Sequence, residues 1–79
     1  MLQEMRKKRG YSQSELAAAL GVNVRTIQGY EIAKANINQA NLTTLCNLAI
    51  ALNCKITDLL TDKELIAKYK LANKIKTED

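Results

Sequence analysis

The chain has 79 residues with a formal net charge of +4, from 12 Lys and Arg against 8 Asp and Glu. A domain of this size buries only about 60% of the surface that its unfolded chain exposes, so there is room for one core. Phe, Trp and Pro are absent, and the abundance of Leu, Ala, Ile and Lys predicts an all-α fold of short helices. No apolar run approaches the roughly 18 residues of a membrane span, and the basic N-terminus lacks the apolar stretch of a signal peptide. We therefore expect a cytoplasmic protein that does not associate with membranes.

Catalysis and metal binding are poorly supported by the residue types present. The chain contains no His, which removes the commonest general acid or base, and it has no glycine-rich phosphate loop. The two cysteines, Cys46 and Cys54, cannot complete a four-ligand zinc site without His, and we interpret them as small apolar fillers. The sequence has no cluster of acidic residues of the kind that holds the metal ion of a nuclease. We expect neither an enzyme nor a cofactor.

The basic residues are concentrated in the first half of the chain, which suits a polyanionic partner without requiring one. Residues 1–37 carry six basic and three acidic side chains, whereas residues 38–79 carry six and five. A basic surface that is only solvated explains this distribution equally well. The charge alone therefore does not decide between a polyanionic partner and a solvated surface.

Local signals define two helices near the N-terminus. A short first helix is predicted to end at Gly10, which follows a basic turn. Ser12 and Glu15 match a capping box, in which the Ser oxygen accepts from a free backbone N–H and the Glu side chain returns to the cap. This predicts a second helix from Gln13 to Leu20.

A third helix follows a tight turn. Gly21 supplies the positive φ of the turn, and Asn23 is a good N-cap. Ile27 and Tyr30 form the inward stripe, with Val24 partly inward. The opposite face is polar and is formed by Arg25, Gln28 and Gly29.

The second half of the chain is predicted to form one long helix and two shorter elements. Residues 35–41 are interpreted as a loop with a helix start near its end. A fourth helix ends near Asn53 and carries an apolar stripe formed by Leu42, Leu45, Leu48, Ala49 and Leu52. Ile56, Leu59 and Leu60 suit a short fifth helix.

Thr61 and Glu64 match a second capping box, which opens a sixth helix that reaches about Lys76. Its apolar stripe is formed by Leu65, Ile66, Tyr69, Ala72 and Ile75. We accordingly predict two units, residues 1–61 and a C-terminal helix with its tail at 62–79. The stripe either packs back on its own domain or forms a dimer or partner surface.

The spacing around the second and third helices separates a helix-turn-helix from an ordinary helical hairpin. Counting Gln13 as the first position, Ala17 is fifth, Gly21 ninth and Ile27 fifteenth. Ala17 must be small where the third helix crosses, Gly21 permits the turn, and Ile27 fills the angle between the helices. The pattern resembles the Cro and lambda-repressor-like (Xre-type) helix-turn-helix family, on the stretches RKKRGYSQSELAAALGVNVRTIQGYE and LTTLCNLAIALNCKITDLL. The resemblance covers roughly Leu2 to Leu60.

Membership of that family implies a five-helix lambda-repressor-like domain, here with an additional C-terminal helix. It also implies a structural ion pair between the first helix and the end of the third, at positions occupied by Arg6 and Glu31. The alternative is that Arg6 is one more basic surface residue, which leaves the Glu31 carboxylate on an apolar face without a partner.

The resemblance further implies that the third helix enters the major groove of double-stranded DNA, and the residue types agree. The predicted base contacts are Val24, Arg25 and Gln28, where Arg suits guanine, Gln suits adenine and Val suits a thymine methyl. Predicted base or backbone contacts are Asn23, Thr26 and Gly29. Predicted phosphate contacts are Ser12, Gln13, Lys34 and Asn36.

Two departures from the family pattern affect these expectations. Where the family usually has Glu, any residue, Gly and a basic residue, this chain has Ala33 between Ile32 and Lys34, so the turn is expected to differ. Gly29 in the middle of the third helix costs about 1 kcal/mol relative to Ala, which indicates either a close backbone approach or a missing contact.

The leading functional hypothesis is a sequence-specific transcriptional regulator, acting as a repressor and binding two half-sites as a homodimer at least on DNA. The alternative is an antitoxin or another module that binds a protein partner through residues 62–76.

Overall fold

The computed structural model describes residues 2–75, and within that range the chain forms six α-helices and no strands. The helices are α1 (Leu2–Lys8), α2 (Gln13–Leu20), α3 (Val24–Glu31), α4 (Leu42–Leu52), α5 (Ile56–Leu59) and α6 (Lys63–Lys74), with a short 3-10 helix at Ile37–Gln39. The prediction of an all-α fold with five helices and an additional C-terminal helix is confirmed. Lys76, where the sixth helix was expected to end, lies outside the described residues.

The predicted helix boundaries in the first half of the chain arise from local hydrogen bonds. The Ser12 hydroxyl accepts from the Glu15 N–H (3.0 Å) and a Glu15 carboxylate oxygen accepts from the Ser12 N–H (2.9 Å), which confirms the capping box. The hydrogen bond from the Ser12 backbone N–H to the Glu15 carboxylate, with a smaller contribution from the Ser12 side chain, lowers the pKa of Glu15. Gly21 has a φ of 69° and Asn53 a φ of 51°, so α2 and α4 both end in the left-handed conformation, as predicted.

One core is formed by residues from every helix except α6. Leu16, Ile27, Leu48 and Leu52 are the largest fully buried side chains, and they come from α2, α3 and α4. Helix α2 packs against both α3 and α4, with the small side chain of Ala17 buried on it. This arrangement leaves the opposite face of α3 free of the core.

One prediction about the core was wrong, and one core residue was missed. Leu42 is 63% exposed, because Leu45, Leu48 and Leu52 define the inward face of α4 and Leu42, at the first position of the helix, lies outside it. Ile37, which the sequence placed in a loop, is buried. The 3-10 turn that begins at Asn36 returns its side chain to the core, and a turn of three residues leaves no periodic signal.

The predicted capping box at Thr61 and Glu64 was also wrong. Asp62 is the N-cap of α6, and its carboxylate accepts from the backbone N–H groups of Glu64 (3.0 Å) and Leu65 (3.1 Å). The Thr61 hydroxyl is instead occupied by a hydrogen bond from the Asn38 side chain (2.8 Å).

Two side chains, those of Asn38 and Arg9, tie distant parts of the chain together. The Asn38 carbonyl oxygen accepts from the backbone N–H groups of Thr61 (2.8 Å) and Asp62 (3.0 Å), which anchors the start of α6 to the loop after α3. The Arg9 guanidinium donates to the Leu52 carbonyl (2.9 Å) and so satisfies one of the free acceptors at the end of α4.

The apolar stripe of α6 is divided between two environments. Leu65 and Ile66 are half-buried and pack against the core, and Tyr69 is also half-buried. Ala72 is exposed, and Leu71 and Ile75 are each 65% exposed. The beginning of α6 therefore packs on its own domain, whereas its end presents apolar surface to solvent. None of the helices in residues 2–75 is long and apolar enough to span a membrane.

The turn after α3 generates a prediction about stability. Ala33 has a φ of 58°, a left-handed conformation that costs a residue with a Cβ about 1 kcal/mol or more and costs glycine nothing comparable. Ala33→Gly should therefore raise the free energy of unfolding by about 1 kcal/mol, measured by urea denaturation. The matched control is Ala19→Gly on the exposed face of α2, which should lower it by about 1 kcal/mol. Equal destabilisation by both glycines would contradict the strain at Ala33.

Candidate nucleic-acid interface

Helix α3 has one face fixed to the core and one face that is free. Ile27 is fully buried, and Val24 and Tyr30 are half-buried and pack against the core. Arg25 and Gln28 are exposed on the other face. The helix has only eight residues and is too short to be stable alone, so its orientation depends on this packing.

Asn23 and Thr26, two predicted contacts near the start of α3, are partly committed to the fold. The Asn23 side chain accepts from the Arg25 N–H (2.9 Å), which caps the helix and leaves the amide nitrogen of Asn23 unused by that bond. Thr26 is half-buried in the first turn. Asn23 is exposed, so its amide nitrogen is accessible to solvent.

Four of the predicted contact residues meet in one depression. A shallow depression of about 330 Å³ is lined by Arg25, Gln28, Gly29 and Lys34, together with Ile32. Ile32 is 71% exposed and was not among the predicted contact residues. Ile32 directly follows α3 and lies outside the inward stripe of that helix, and this position is what could have identified it from the sequence. The depression thus combines two cations, one amide and one apolar side chain.

Gly29 is not required by crowding within the chain. A Cβ at this position would meet only the Cβ of Ala35, at an ordinary contact distance of 3.6 Å. Its carbonyl oxygen accepts from the backbone N–H groups of Lys34 (2.9 Å) and Ala35 (3.1 Å), which folds the turn after α3 back against the helix. That turn holds Lys34 beside the free face.

The remaining predicted phosphate contacts lie at two separate places. Ser12 and Gln13 stand at the start of α2, and Gln13 reaches α3, where its side-chain oxygen accepts from the Gln28 amide (3.3 Å). Asn36 is exposed but caps the 3-10 helix and borders a different groove, beside α1 and Thr61. Asn36 is therefore not part of the depression that contains Arg25 and Gln28.

Arg6 and Glu31 form a buried ion pair at the C-terminal end of α3. Arg6 Nε donates to Glu31 Oε2 (2.6 Å) and Nη2 donates to Oε1 (3.2 Å), and the two side chains are 8% and 2% exposed. Arg6 Nη1 also donates to the Tyr11 carbonyl (2.8 Å), and Gln13 Nε2 donates to Glu31 Oε1 (2.9 Å). The pair joins α1 to the end of α3, and Gln13 joins α2 to Glu31.

The electrostatics of the pair follow from these bonds. Burial raises the pKa of Glu31, but hydrogen bonds from Arg6 and Gln13, with the positive charges of Arg6 and Lys7, outweigh burial and lower the pKa overall. The hydrogen bond to Glu31 raises the pKa of Arg6. Both groups therefore remain charged near neutral pH.

The cysteines lie apart from this surface. Cys46 and Cys54 are free thiols and half-buried, and burial and the neighbouring Asp58 raise the pKa of Cys54. Within residues 2–75, no group of three or more Cys, Asp or Glu side chains is placed to hold a metal ion.

Comparison with known proteins gave one match. A family model described as Helix-turn-helix (HTH_3), which represents Cro/C1-type and Xre-like domains, matches residues 2–59. The matched region contains α1 to α5 and ends before α6. No curated protein and no solved structure matches the chain.

The ion pair generates a prediction about acid stability. Arg6→Met leaves a buried carboxylate without its cation, so the free energy of unfolding at about pH 7 should fall by about 3 kcal/mol. In the natural chain the lowered pKa of Glu31 gives a stabilisation that is complete above the unfolded-state pKa and is lost as the pH falls through the folded-state pKa. In the variant burial without Arg6 raises that pKa, so the deficit should shrink towards about pH 4.

Urea denaturation at both pH values, followed by circular dichroism, measures this difference. The control is Lys68→Met, which removes the exposed ion pair with Glu64 on α6 and should change stability little at either pH. A deficit in Arg6→Met that stays constant from about pH 7 to about pH 4 would contradict the account.

Proposed function

Because the chain belongs to the Cro- and Xre-like helix-turn-helix family, we propose that it is a sequence-specific double-stranded DNA-binding protein that regulates transcription by inserting α3 into the major groove. The observation that carries this proposal is the division of α3, whose buried Ile27 fixes the helix while exposed Arg25 and Gln28 face away from the core. A binding role without catalysis is typical of this domain.

The exposed face of α3 supplies the chemistry for reading base edges. The Arg25 guanidinium presents two N–H donors that match the O6 and N7 acceptors of guanine. The Gln28 amide has one donor and one acceptor, which match N7 and N6–H of adenine. Val24 is half-buried, which leaves part of its side chain for a thymine methyl. Asn23, Thr26 and Gly29 are proposed to contact either bases or backbone from the rim of this face.

Phosphate contacts are proposed on both sides of α3. Ser12 and Gln13 stand at the N-terminus of α2, where free backbone N–H groups and the helix dipole favour an anion. Lys34 shares a depression with Arg25 and adds positive charge beside the groove-reading helix. Asn36, on the neighbouring loop, is proposed as the most distant contact.

The regulatory role is proposed to be repression, by occupation of a promoter in the cytoplasm. Residues 1–61 supply the DNA-binding unit in this proposal, and 62–79 form the C-terminal helix and tail. A single module of this size contacts few base pairs, so we propose that two copies bind half-sites about one helical turn, roughly 34 Å, apart.

A second candidate function is binding of a protein partner by α6, as in an antitoxin. The observation that favours it is the apolar surface at the end of α6, where Leu71 and Ile75 are each 65% exposed. A stable complex with another protein that survives substitution of Arg25 and Gln28, combined with absence of selective DNA binding, would favour this candidate.

The DNA-reading role of α3 is tested by fluorescence anisotropy with duplexes enriched from a genomic pool. Arg25→Ala and Gln28→Ala should each weaken binding to the preferred duplex about tenfold, because each removes a bidentate base contact, while binding to unrelated duplex changes less. The control is Lys70→Ala, an exposed lysine beside α5 that should change affinity little. Retention of full selectivity by both α3 variants would contradict the role of α3.

Stoichiometry tests the proposed dimer. Sedimentation of the protein with its minimal high-affinity duplex should give two copies per duplex, and a duplex carrying one half-site should bind more weakly. One copy per minimal duplex would defeat the dimer proposal and leave the role of α3 intact.

A further inference from the structure

A line of hydrogen bonds runs from the buried Glu31 carboxylate to the exposed face of α3. Glu31 Oε1 accepts from Gln13 Nε2 at 2.9 Å, and Gln13 Oε1 accepts from Gln28 Nε2 at 3.3 Å. The Glu31 side chain is only 2% exposed, whereas Gln28 is exposed. The line therefore connects the interior to the surface through two helices.

The direction of each bond in this line is determined by the charge at its buried end. An ionised carboxylate accepts hydrogen bonds and donates none, so Gln13 must turn its NH₂ group towards Glu31. The carbonyl oxygen of Gln13 then points towards Gln28. Because this oxygen only accepts, Gln28 must donate to it from its own NH₂ group. Arg6, with two hydrogen bonds to the carboxylate, holds Glu31 in the ionised form.

The Gln28 amide is left with one free N–H and a free carbonyl oxygen. Adenine offers an acceptor at N7 and a donor at N6 in the major groove, which this donor and acceptor match. A Gln amide that is not held by a hydrogen bond rotates by about 180°, which exchanges the positions of its NH₂ group and its carbonyl oxygen. The same side chain in the reversed orientation does not match adenine in the same pose.

We propose that Glu31 and Gln13 are positioning residues that fix the orientation of the Gln28 amide and so set adenine as the base selected opposite it. This rests on the proposed function, since it assumes that α3 reads DNA. Glu31 is buried and does not contact the base itself. Its influence therefore falls on base preference at one position, whereas a purely structural role affects binding to all duplexes alike.

The test begins by finding the position that Gln28 reads, which is the base pair whose preference is lost in Gln28→Ala. Anisotropy then gives the affinity of each protein for four duplexes that differ only at that pair. The natural chain should prefer adenine about tenfold or more over the other bases. Because the measurement is a ratio for one protein, a reduced folded fraction does not alter it.

Two variants interrupt the line at different bonds. Glu31→Gln replaces the pure acceptor by an amide that both donates and accepts, so Gln13 is free to turn over. Gln13→Met removes both hydrogen bonds of the line, those to Glu31 and to Gln28, and leaves the pair of Arg6 and Glu31 intact. Each should reduce the adenine preference to about threefold or less, and Gln13→Met decides the matter if Glu31→Gln does not fold.

The control is Leu60→Ala, which destabilises the core after α5 without touching these bonds and should keep the adenine preference. The positioning role is overturned if Gln13→Met keeps the full preference, or if the natural chain prefers another base at this position. Absence of any sequence-selective binding by the natural chain overturns the proposed function as well, so the two failures are distinguishable.

Discussion

The Glu31 carboxylate is the point where the first three helices are joined. Arg6 reaches it from α1 and Gln13 from α2, and Glu31 itself is the last residue of α3. A charge that is 2% exposed is tolerated only with a close cation and satisfied hydrogen bonds, and here both are present. Within residues 2–75 no buried side-chain polar atom lacks a partner. The Glu31 carboxylate therefore links the end of α3 to α1 and α2, in addition to the packing of Ile27 in the core.

The orientation of α3 relative to the core matters because the helix is short and has two different faces. Ile27 holds one face in the core, and the ion pair holds the C-terminal end, so Arg25 and Gln28 are presented on a helix whose position is fixed before DNA arrives. A fixed recognition helix loses less conformational entropy on binding than a mobile one. The same pair thus contributes to stability and to the arrangement of the groups that are proposed to read bases.

Much of the first half of the fold was predictable because its signals are local. The capping box of Ser12 and Glu15 and the turn at Gly21 involve residues within four positions of each other. The errors lie where distant residues compete: Thr61 and Asp62 are both good caps, and Asn38, 23 positions before Thr61, occupies the Thr61 hydroxyl. The contact of Arg9 with the Leu52 carbonyl spans 43 positions and has no local signature. Residue types alone named Gln13 and Gln28, but the bond between them, and the grouping of Ile32 with Arg25, required the folded chain.

The most direct test of the central claim is to follow the backbone amide signals of the protein by two-dimensional NMR during titration with its preferred duplex. We expect the largest shifts at residues 23–29, smaller ones at 12–13 and 34–36, and little change along 63–74. Shifts that are confined to 63–74, or that do not saturate with any duplex, would contradict the claim that α3 is the surface that reads DNA.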